Sequence, residues 1–209
     1  MTGEPTMKHR FALSDEESQA QFQLVSKNLL EHNVKQGVNY WAGSPYPTML
    51  LWAGRVYDFL RVMEEIVGFY PAHRQSYLVG YRSGTDGAAV SEAIERKGSK
   101  KAAQTRLLAS GTSITAGAGW GRCIIEYDED SGKAVWEFPE GTAIGLAARL
   151  EGARTKPACP FIAGFVAGWT NRSLGVELEF EETKCVGRGD DRCFFESVAF
   201  LHAKKEYVE

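Results

Sequence analysis

The sequence predicts an α+β protein in which helices pack on an antiparallel sheet. Apolar residues recur at helical spacing in the first half of the chain, and two later segments alternate apolar and polar residues around short turns. The resulting order is helices, hairpin, helices, hairpin. A parallel sheet would instead need strands that alternate with crossover helices, so the antiparallel arrangement is favoured.

The composition is typical of a folded globular protein and limits its partners. The chain has 209 residues, of which 44% are hydrophobic and 24% are charged. Its net charge of −3 gives no general attraction to nucleic acid. No stretch approaches the roughly 20 apolar residues of a membrane-spanning helix, and no export signal is visible. We expect a cytoplasmic protein with no direct nucleic-acid contact and no membrane contact.

The first predicted helix runs from Asp15 to His32. Ser14 and Glu17 have the spacing of a capping box, and apolar residues at helical spacing follow them. Residues 37–47 interrupt this pattern. We expect residues 1–47 to form an N-terminal helical extension that is a candidate for dimerisation, and residues 48–200 to form a ligand-binding domain.

Three further helices are predicted in the first half of that domain. One spans Thr48–Val67, ends at Gly68 and has one broad apolar face. The others span Ala72–Tyr81 and Thr85–Arg96, with a turn between them at residues 82–84. The basic stretch 97–101 is expected to be a solvated linker. The predicted face of the first of these helices consists of Leu51, Trp52, Val56, Phe59, Leu60, Met63 and Ile66.

Two hairpins and two helices make up the second half. Strands at 123–127 and 134–138 flank a turn at 128–132, and strands at 174–183 and 193–198 flank a turn at 187–190. Between the hairpins, the patterns of Ala143–Leu150 and Phe161–Trp169 predict helices. Gly164 and Gly168 leave a flat strip on the second helix, which suits either a core contact or a dimer contact.

A buried carboxylate is predicted in the last hairpin. Side chains alternate along a strand, so Val176, Leu178 and Phe180 share the inner face, and the same register places Glu182 on that face. A buried carboxylate without a partner costs several kcal/mol, and proteins avoid this cost by protonation, ion pairing or metal binding.

The cysteines near Glu182 indicate a metal site. Cys185 and Cys193 lie on the two arms of the hairpin turn, and Cys159 supplies a fourth ligand if the following helix packs its N-terminal end there. Thiolates combined with a carboxylate suit Zn²⁺ better than Ca²⁺ or Mg²⁺, and four protein ligands make a closed structural site. Lys184, Arg188 and Arg192 are candidates to offset its negative charge. The alternative is that the cysteines are small buried apolar residues and Glu182 faces water.

Residues 152–198 resemble the vinyl-4-reductase domain, a small ligand-binding module. The resemblance is carried by Cys159–Gly168, by Glu182-Thr183-Lys184-Cys185 and by residues 189–194. More weakly, residues 81–84, 119–121 and Trp136 resemble the sensor region of phenol-responsive activators of aromatic catabolism. The zinc-binding part of the domain would then span residues 136–198.

The resemblance implies a zinc site, a fold and a pocket. In the activators, the equivalents of Cys159, Glu182, Cys185 and Cys193 bind zinc. The implied fold is that of haem nitric-oxide sensors and TRAPP subunits, which are usually dimeric, so a homodimer is expected. The pocket-lining aromatic residues of the sensors match Trp136, Phe165 and Phe180, with Trp120 a weaker match.

Further aromatic residues extend this candidate ligand site. Phe161, Phe165 and Trp169 repeat every four residues along one helix, and Trp136 and Phe138 share one strand face. Each alone is as well explained by core packing. The sensors also carry a histidine that binds the phenol hydroxyl, whereas this chain has none between Arg74 and Leu201. We therefore expect a small apolar or aromatic ligand held mainly by apolar and stacking contacts.

Three functions are consistent with the sequence. The first is a non-enzymatic, regulatory sensor of a small apolar or aromatic ligand, stabilised by zinc. The second is a tetrapyrrole-binding or vinyl reductase-like factor of (bacterio)chlorophyll metabolism, although the sequence lacks a dinucleotide fingerprint and a nucleophile–base pair. The third is an interaction subunit with a filled core and an apolar surface patch.

Overall fold

The computed structural model describes residues 8–24, 27, 30–33, 35, 38–41, 47–48, 53–95, 100–152 and 154–198. In chain order the elements are β1 (Lys8–Ala12), α1 (Asp15–Leu24), β2 (Leu30–Asn33), β3 (Val38–Trp41), β4 (Pro47–Thr48), α2 (Ala53–Val67), α3 (Phe69–Glu95), α4 (Lys100–Gly117), β5 (Ile124–Asp128), β6 (Lys133–Phe138), α5 (Ala143–Leu150), α6 (Pro160–Leu174), β7 (Glu179–Lys184), a 3₁₀ turn (Val186–Arg188) and β8 (Cys193–Val198).

The main sheet is antiparallel and has the strand order β1-β5-β6-β8-β7. Helix α4 packs on β1 and β5, and α6 packs on β7 and β8. Strands β2, β3 and β4 form a separate three-stranded sheet. The α+β class with helices on an antiparallel sheet is therefore confirmed.

One row of paired residues crosses the inner face of the main sheet. Phe11 pairs with Ile125, and Ile125 pairs with Trp136. Trp136 pairs with Phe195, which in turn pairs with Glu182. Side chains of directly paired residues lie on the same face. The row therefore connects β1, at one edge of the sheet, with Glu182 on β7 at the other edge.

Helices α3 and α6 approach each other at backbone distance. A Cβ atom on Gly84 of α3 would overlap the carbonyl oxygen of Phe165, and a Cβ atom on Gly168 of α6 would overlap that of Tyr81. Gly80 and Gly164 make equivalent contacts one turn away. The glycine strip of α6 is therefore used inside the chain, which decides between the two roles predicted for it in favour of a core contact.

This contact explains why the predicted turn at residues 82–84 was wrong. Helix α3 is continuous from Phe69 to Glu95. Glycine lowers helix propensity, so Gly84 indicated a break from local sequence alone. Its contact with the Phe165 carbonyl supplies the tertiary reason for glycine at this position.

Other predicted boundaries also differ from the structure. The Ser14–Glu17 capping box is confirmed, because the Ser14 N–H donates to the Glu17 carboxylate at 2.8 Å and the Glu17 N–H donates to Ser14 Oγ at 3.2 Å. Helix α1 nevertheless ends at Leu24, and His32 lies in β2, where it pairs with Asn39 of β3. Thr48 lies in β4 rather than at a helix start, and β7 begins five residues after Leu174 rather than at it.

The buried face predicted for α2 is only partly correct. Leu60 is buried, as is Tyr57, but Phe59 and Ile66 are 68% and 71% exposed. Leu51 and Trp52 lie outside the described residues. Among the described residues, no helix is long and apolar enough to cross a membrane. Because β1 pairs with β5, residues 8–12 belong to the main sheet, while the division of the chain at residue 47 stays a prediction.

We predict that Gly84→Ala lowers the free energy of unfolding by about 3 kcal/mol, because its methyl group has no space at the Phe165 carbonyl. Gly54→Ala is the matched control, since a Cβ atom there meets nothing within 4 Å. This control should be neutral or stabilising by up to about 1 kcal/mol. Chemical denaturation measures both variants, and similar stabilities would contradict the close α3–α6 contact.

Candidate metal centre

Four side chains from separate places in the chain meet at one end of the sheet. Cys159 immediately precedes α6, with Pro160 at the first helical position. Glu182 lies on β7, Cys185 precedes the 3₁₀ turn, and Cys193 is the first residue of β8. Their ligand atoms all lie within 4.8 Å of one another. The structure thus brings together all four predicted ligands at positions where they can hold a metal ion.

The separation of these atoms suits a tetrahedral metal site. With metal–sulfur distances of about 2.3 Å, donor atoms of a tetrahedral zinc site lie about 3.8 Å apart. The cluster therefore needs to contract by no more than about 1 Å from its 4.8 Å limit. Cys159, Cys185 and Cys193 are fully buried and form no disulfide.

The carboxyl group of Glu182 is the chemically informative member of the cluster. Its Oε2 atom accepts a hydrogen bond from the Cys159 N–H at 2.9 Å. Its Oε1 atom is buried and has no hydrogen-bond partner among the described residues. A buried oxygen without a partner carries a desolvation penalty of about 1 to 3 kcal/mol or more. A cation bound between the thiols would satisfy that oxygen.

The cluster also opposes full ionisation of its own groups. Burial raises the pKa of Glu182 well above its usual range, and burial likewise raises the pKa of the Cys159 thiol. Hydrogen bonds from Cys159 and Cys185 lower the pKa of Cys193 to about 4. One thiolate shared by protonated neighbours is therefore the arrangement favoured by the protein groups alone. A divalent cation would let all four ligands ionise.

Two residues that were not predicted support the ligands. Thr142 is the N-cap of α5, and its hydroxyl lies 3.1 Å from the Cys159 Sγ atom. Asp190 accepts a hydrogen bond from the Cys185 N–H at 2.8 Å and another from Arg188 Nε at 2.9 Å. The threonine before a predicted helix was a usable N-cap signal. The role of Asp190 had no such signal, because it depends on the shape of the turn.

The predicted charge-balancing residues have closer partners than the cluster. Arg188 pairs with Asp190 at 2.7 Å and so acts on the cluster through that carboxylate. Arg192 pairs with Glu137 at 2.6 Å and with Asp191 at 2.5 Å. Lys184 lies 3.7 Å from Asp191. These basic side chains thus brace the turn rather than face the thiols.

A half-buried ion-pair cluster joins the segment before Cys159 to two helices. Glu64 of α2 lies 2.7 Å from both His73 of α3 and Arg154. The Arg154 N–H also donates to the carbonyl of Gly187 in the 3₁₀ turn at 3.1 Å. Burial by itself would raise the pKa of Glu64, but hydrogen bonds from Arg154 and His73 outweigh burial and lower it. The cluster therefore ties the metal-binding turn to α2 and α3.

The seven aromatic residues predicted to bind a ligand lie in or against the hydrophobic core. Trp120 contacts Phe165 and Phe161, with ring centroids 4.6 and 5.6 Å apart in edge-on geometry. Phe165 also contacts Trp169 at 5.6 Å. Trp120 and Phe161 are half-buried. The fully or almost fully buried members are Trp136, Phe138, Phe165, Trp169 and Phe180.

Hydrogen bonds hold the two buried indoles of this group. Trp136 Nε1 donates to Thr170 Oγ1, and Trp169 Nε1 donates to the Leu107 carbonyl, both at 3.0 Å. Phe180 shares its strand face with Glu182, and its backbone N–H donates to the Tyr77 hydroxyl at 3.2 Å. These contacts show that the aromatic residues pack as core. A ligand-binding role for them stays a prediction.

Comparison with known proteins supports the resemblance found in the sequence. Residues 144–198 match the model of the vinyl-4-reductase domain family. No curated protein matches the chain significantly. The matched segment contains all four candidate metal ligands.

Solved structures with a similar fold include a phenol-responsive sensory domain. This domain of the transcription activator PoxR, crystallised with phenol, is 18% identical at a TM-score of 0.70, covering 88% of this chain and 90% of its own. Trafficking protein particle complex subunit 3 from Naegleria fowleri, covalently bound to palmitic acid, is 14% identical at a TM-score of 0.48, covering 69% and 93%. A vinyl-4-reductase family protein from Methanocaldococcus jannaschii is 16% identical at 0.39, covering 75% and 98%.

We predict that Glu64→Gln lowers the free energy of unfolding at pH 7 by about 2 kcal/mol, because it removes a charged acceptor from Arg154 and His73. Because the folded pKa of Glu64 lies below its usual value near 4.5, its contribution is present above that pH and is lost as the pH falls through the folded pKa. The deficit should therefore shrink in acid.

Denaturation of both proteins between pH 7 and pH 3 tests this expectation. Glu92→Gln is the control, because the Glu92–Arg172 pair is much more exposed and should contribute less than about 1 kcal/mol. An equal loss in both variants, or a deficit for Glu64→Gln that is independent of pH, would contradict the role given to the cluster.

Proposed function

The chain carries a vinyl-4-reductase domain, and from this premise we propose that it is a non-enzymatic ligand-binding sensor module stabilised by one structural zinc ion. The proposal has two parts, a metal that holds the domain together and a small apolar or aromatic ligand that the domain detects. The unpartnered Oε1 atom of Glu182, buried among three thiols, is the observation that carries the first part.

Zinc is the cation that suits this ligand set. Thiolates favour zinc over the hard cations calcium and magnesium, which take oxygen ligands. Four protein ligands leave no position for water, so the site would be structural rather than catalytic. With three thiolates and one carboxylate the formal charge of the site is about −2. The hydrogen bonds from the Cys159 N–H to Glu182 and from the Val186 N–H to Cys193 Sγ would offset part of that charge.

The metal would cross-link elements that are distant in sequence. Cys159 lies at the start of α6, which is buried along most of its length, while the other three ligands belong to the β7–β8 hairpin. Binding a metal at this point fixes the helix start against the sheet. Structural zinc contributes directly to folding free energy, so its loss should destabilise the whole domain.

The sensor part is supported by the fold and by the aromatic residues. The PoxR domain has a similar fold and is described as phenol-responsive. In this chain, rings from α6 and from the loop before β5 form a continuous aromatic group, of which Trp120 and Phe161 are half-buried. We propose that a ligand reaches this group by displacing Trp120. The readout would be regulatory, with a homodimer as the proposed assembly.

We predict one zinc ion per chain in protein purified without chelators, as measured by elemental analysis. Cys185→Ser should lower the zinc content and the thermal stability together, because it removes one of four ligands. Cys123→Ala should keep a full complement of zinc, because Cys123 is buried beside Thr115 and lies outside the cluster. Protein that folds stably without metal, or zinc retained in full by Cys185→Ser, would contradict the metal assignment.

We predict that toluene changes the tryptophan fluorescence of the protein and that Trp120→Phe removes most of the change, because Trp120 is the half-buried indole of the aromatic group. Fluorescence titration measures the effect. A porphyrin that quenches the emission while toluene is silent would contradict the small-ligand sensor and favour the tetrapyrrole-binding alternative.

A further inference from the structure

A surface groove lies at the opposite end of the sheet from the metal ligands in strand order. It has a volume of about 330 Å³, within the range of small-molecule sites. Strands β1 and β5 form one wall and α4 forms the other, with the end of α6 closing one side. The lining residues are His9, Phe11, Gln104, Thr105, Leu108, Tyr127, Glu129 and Leu174.

Three rings give the sheet wall of this groove a flat character. His9 and Phe11 are two residues apart on β1, and Tyr127 is the cross-strand partner of His9. The His9 ring is inclined by 10° to Phe11 and by 12° to Tyr127, with centroids 6.0 and 6.4 Å apart. Nearly parallel rings on one wall suit a planar ligand that lies along them.

The polar groups of the groove favour a ligand that donates a hydrogen bond. His9 Nε2 lies 2.7 Å from Glu129 Oε1, and the His9 side chain is only 14% exposed. When the neutral imidazole donates Nε2–H to the carboxylate, its Nδ1 atom is an acceptor. The Gln104 amide is already engaged, because its Nε2 donates to the Leu174 carbonyl at 3.0 Å.

The electrostatics of the groove disfavour anions. Its lining residues include one carboxylate and no arginine or lysine. The C-terminal end of α6 adds partial negative charge at Leu174. Arg10 and Arg106 line a separate neighbouring groove of about 400 Å³ instead.

We propose that this groove binds a small planar aromatic molecule carrying an N–H or O–H donor, with the Glu129-oriented imidazole of His9 as the acceptor. The proposal rests on the proposed sensor function for its biological role, but it is independent of the zinc assignment. It replaces the sequence-based expectation of a purely apolar site, because strand pairing brings His9 from the N-terminus to the core. Phe11 begins the row of inner-face residues that ends at Glu182, so an occupied groove would touch the sheet that holds the metal ligand.

The test compares matched probes by calorimetry on the full chain. Aniline donates N–H, N,N-dimethylaniline has the same ring without a donor, and benzoate is an anion. We expect aniline to bind about 10-fold more tightly than N,N-dimethylaniline, as one hydrogen bond to the site implies, and benzoate to bind more weakly still. Equal affinities for the two anilines would overturn the proposal.

His9→Phe keeps a ring and removes the acceptor, so the preference for aniline should fall to within about 3-fold. His73→Phe is the matched control, because His73 forms a histidine–glutamate pair of the same 2.7 Å length elsewhere in the chain, and the preference should persist. A preference that survives in His9→Phe would overturn the groove assignment and leave the sensor proposal standing. If aniline, toluene and porphyrin all fail to bind, both fail.

Nuclear magnetic resonance of histidine ring nitrogens gives a second reading that does not need a folded variant. The chain has four histidines. One imidazole should shift on addition of aniline and not on addition of N,N-dimethylaniline, and a nuclear Overhauser contact from its ring to Tyr127 protons would identify it as His9. Aniline binding without any histidine shift would contradict the proposal.

Discussion

The close contact between α3 and α6 sets the positions of the elements that surround it. Gly80 and Gly84 on one helix and Gly164 and Gly168 on the other allow backbone to meet backbone without intervening side chains. Helix α6 is therefore drawn between α3 and the sheet, where most of its residues are buried. That position directs Phe165 and Trp169 into the core and places Cys159, at the helix start, beside the β7–β8 hairpin.

The metal cluster and the helix contact support each other. Without α6 held against α3, Cys159 would have no reason to lie near Glu182, which is 23 residues away in the chain. Conversely, a cation at the cluster would hold the first turn of α6 to the hairpin. The Glu64–His73–Arg154 cluster adds a third tie, since Arg154 also hydrogen-bonds the turn that carries Cys185. Three different interactions thus converge on a short segment between α5 and α6.

The sheet gives the molecule two chemically different ends. At the β7 edge, thiols and a carboxylate gather where ionisation is opposed by burial, an arrangement that a divalent cation relieves. At the β1 edge, a histidine–glutamate pair lies among parallel rings beside an open groove. The row from Phe11 to Glu182 joins these ends through close-packed side chains. Such packing gives a physical route by which an event at one edge can strain the other.

Features that depend on local periodicity and short spacing could be predicted from the amino-acid order alone. These include the two hairpins, the α5 and α6 helices, the capping box at Ser14 and the inward register that places Glu182 beside Cys185 and Cys193. Alternation in a strand and capping chemistry act over a few residues, so they can be read without the fold. Contacts between distant segments set the rest. Gly84 indicated a turn locally, yet its contact with α6 keeps α3 continuous. Helix α4 has no clear apolar periodicity in sequence, and it is held by β1, β5, α3 and α6 rather than by its own pattern. His9 lay outside the region in which a ligand-binding histidine was sought, and only the pairing of β1 with β5 brings it to Tyr127 and Glu129. Long-range pairing of this kind leaves no local signal, because neither strand records which partner it will meet.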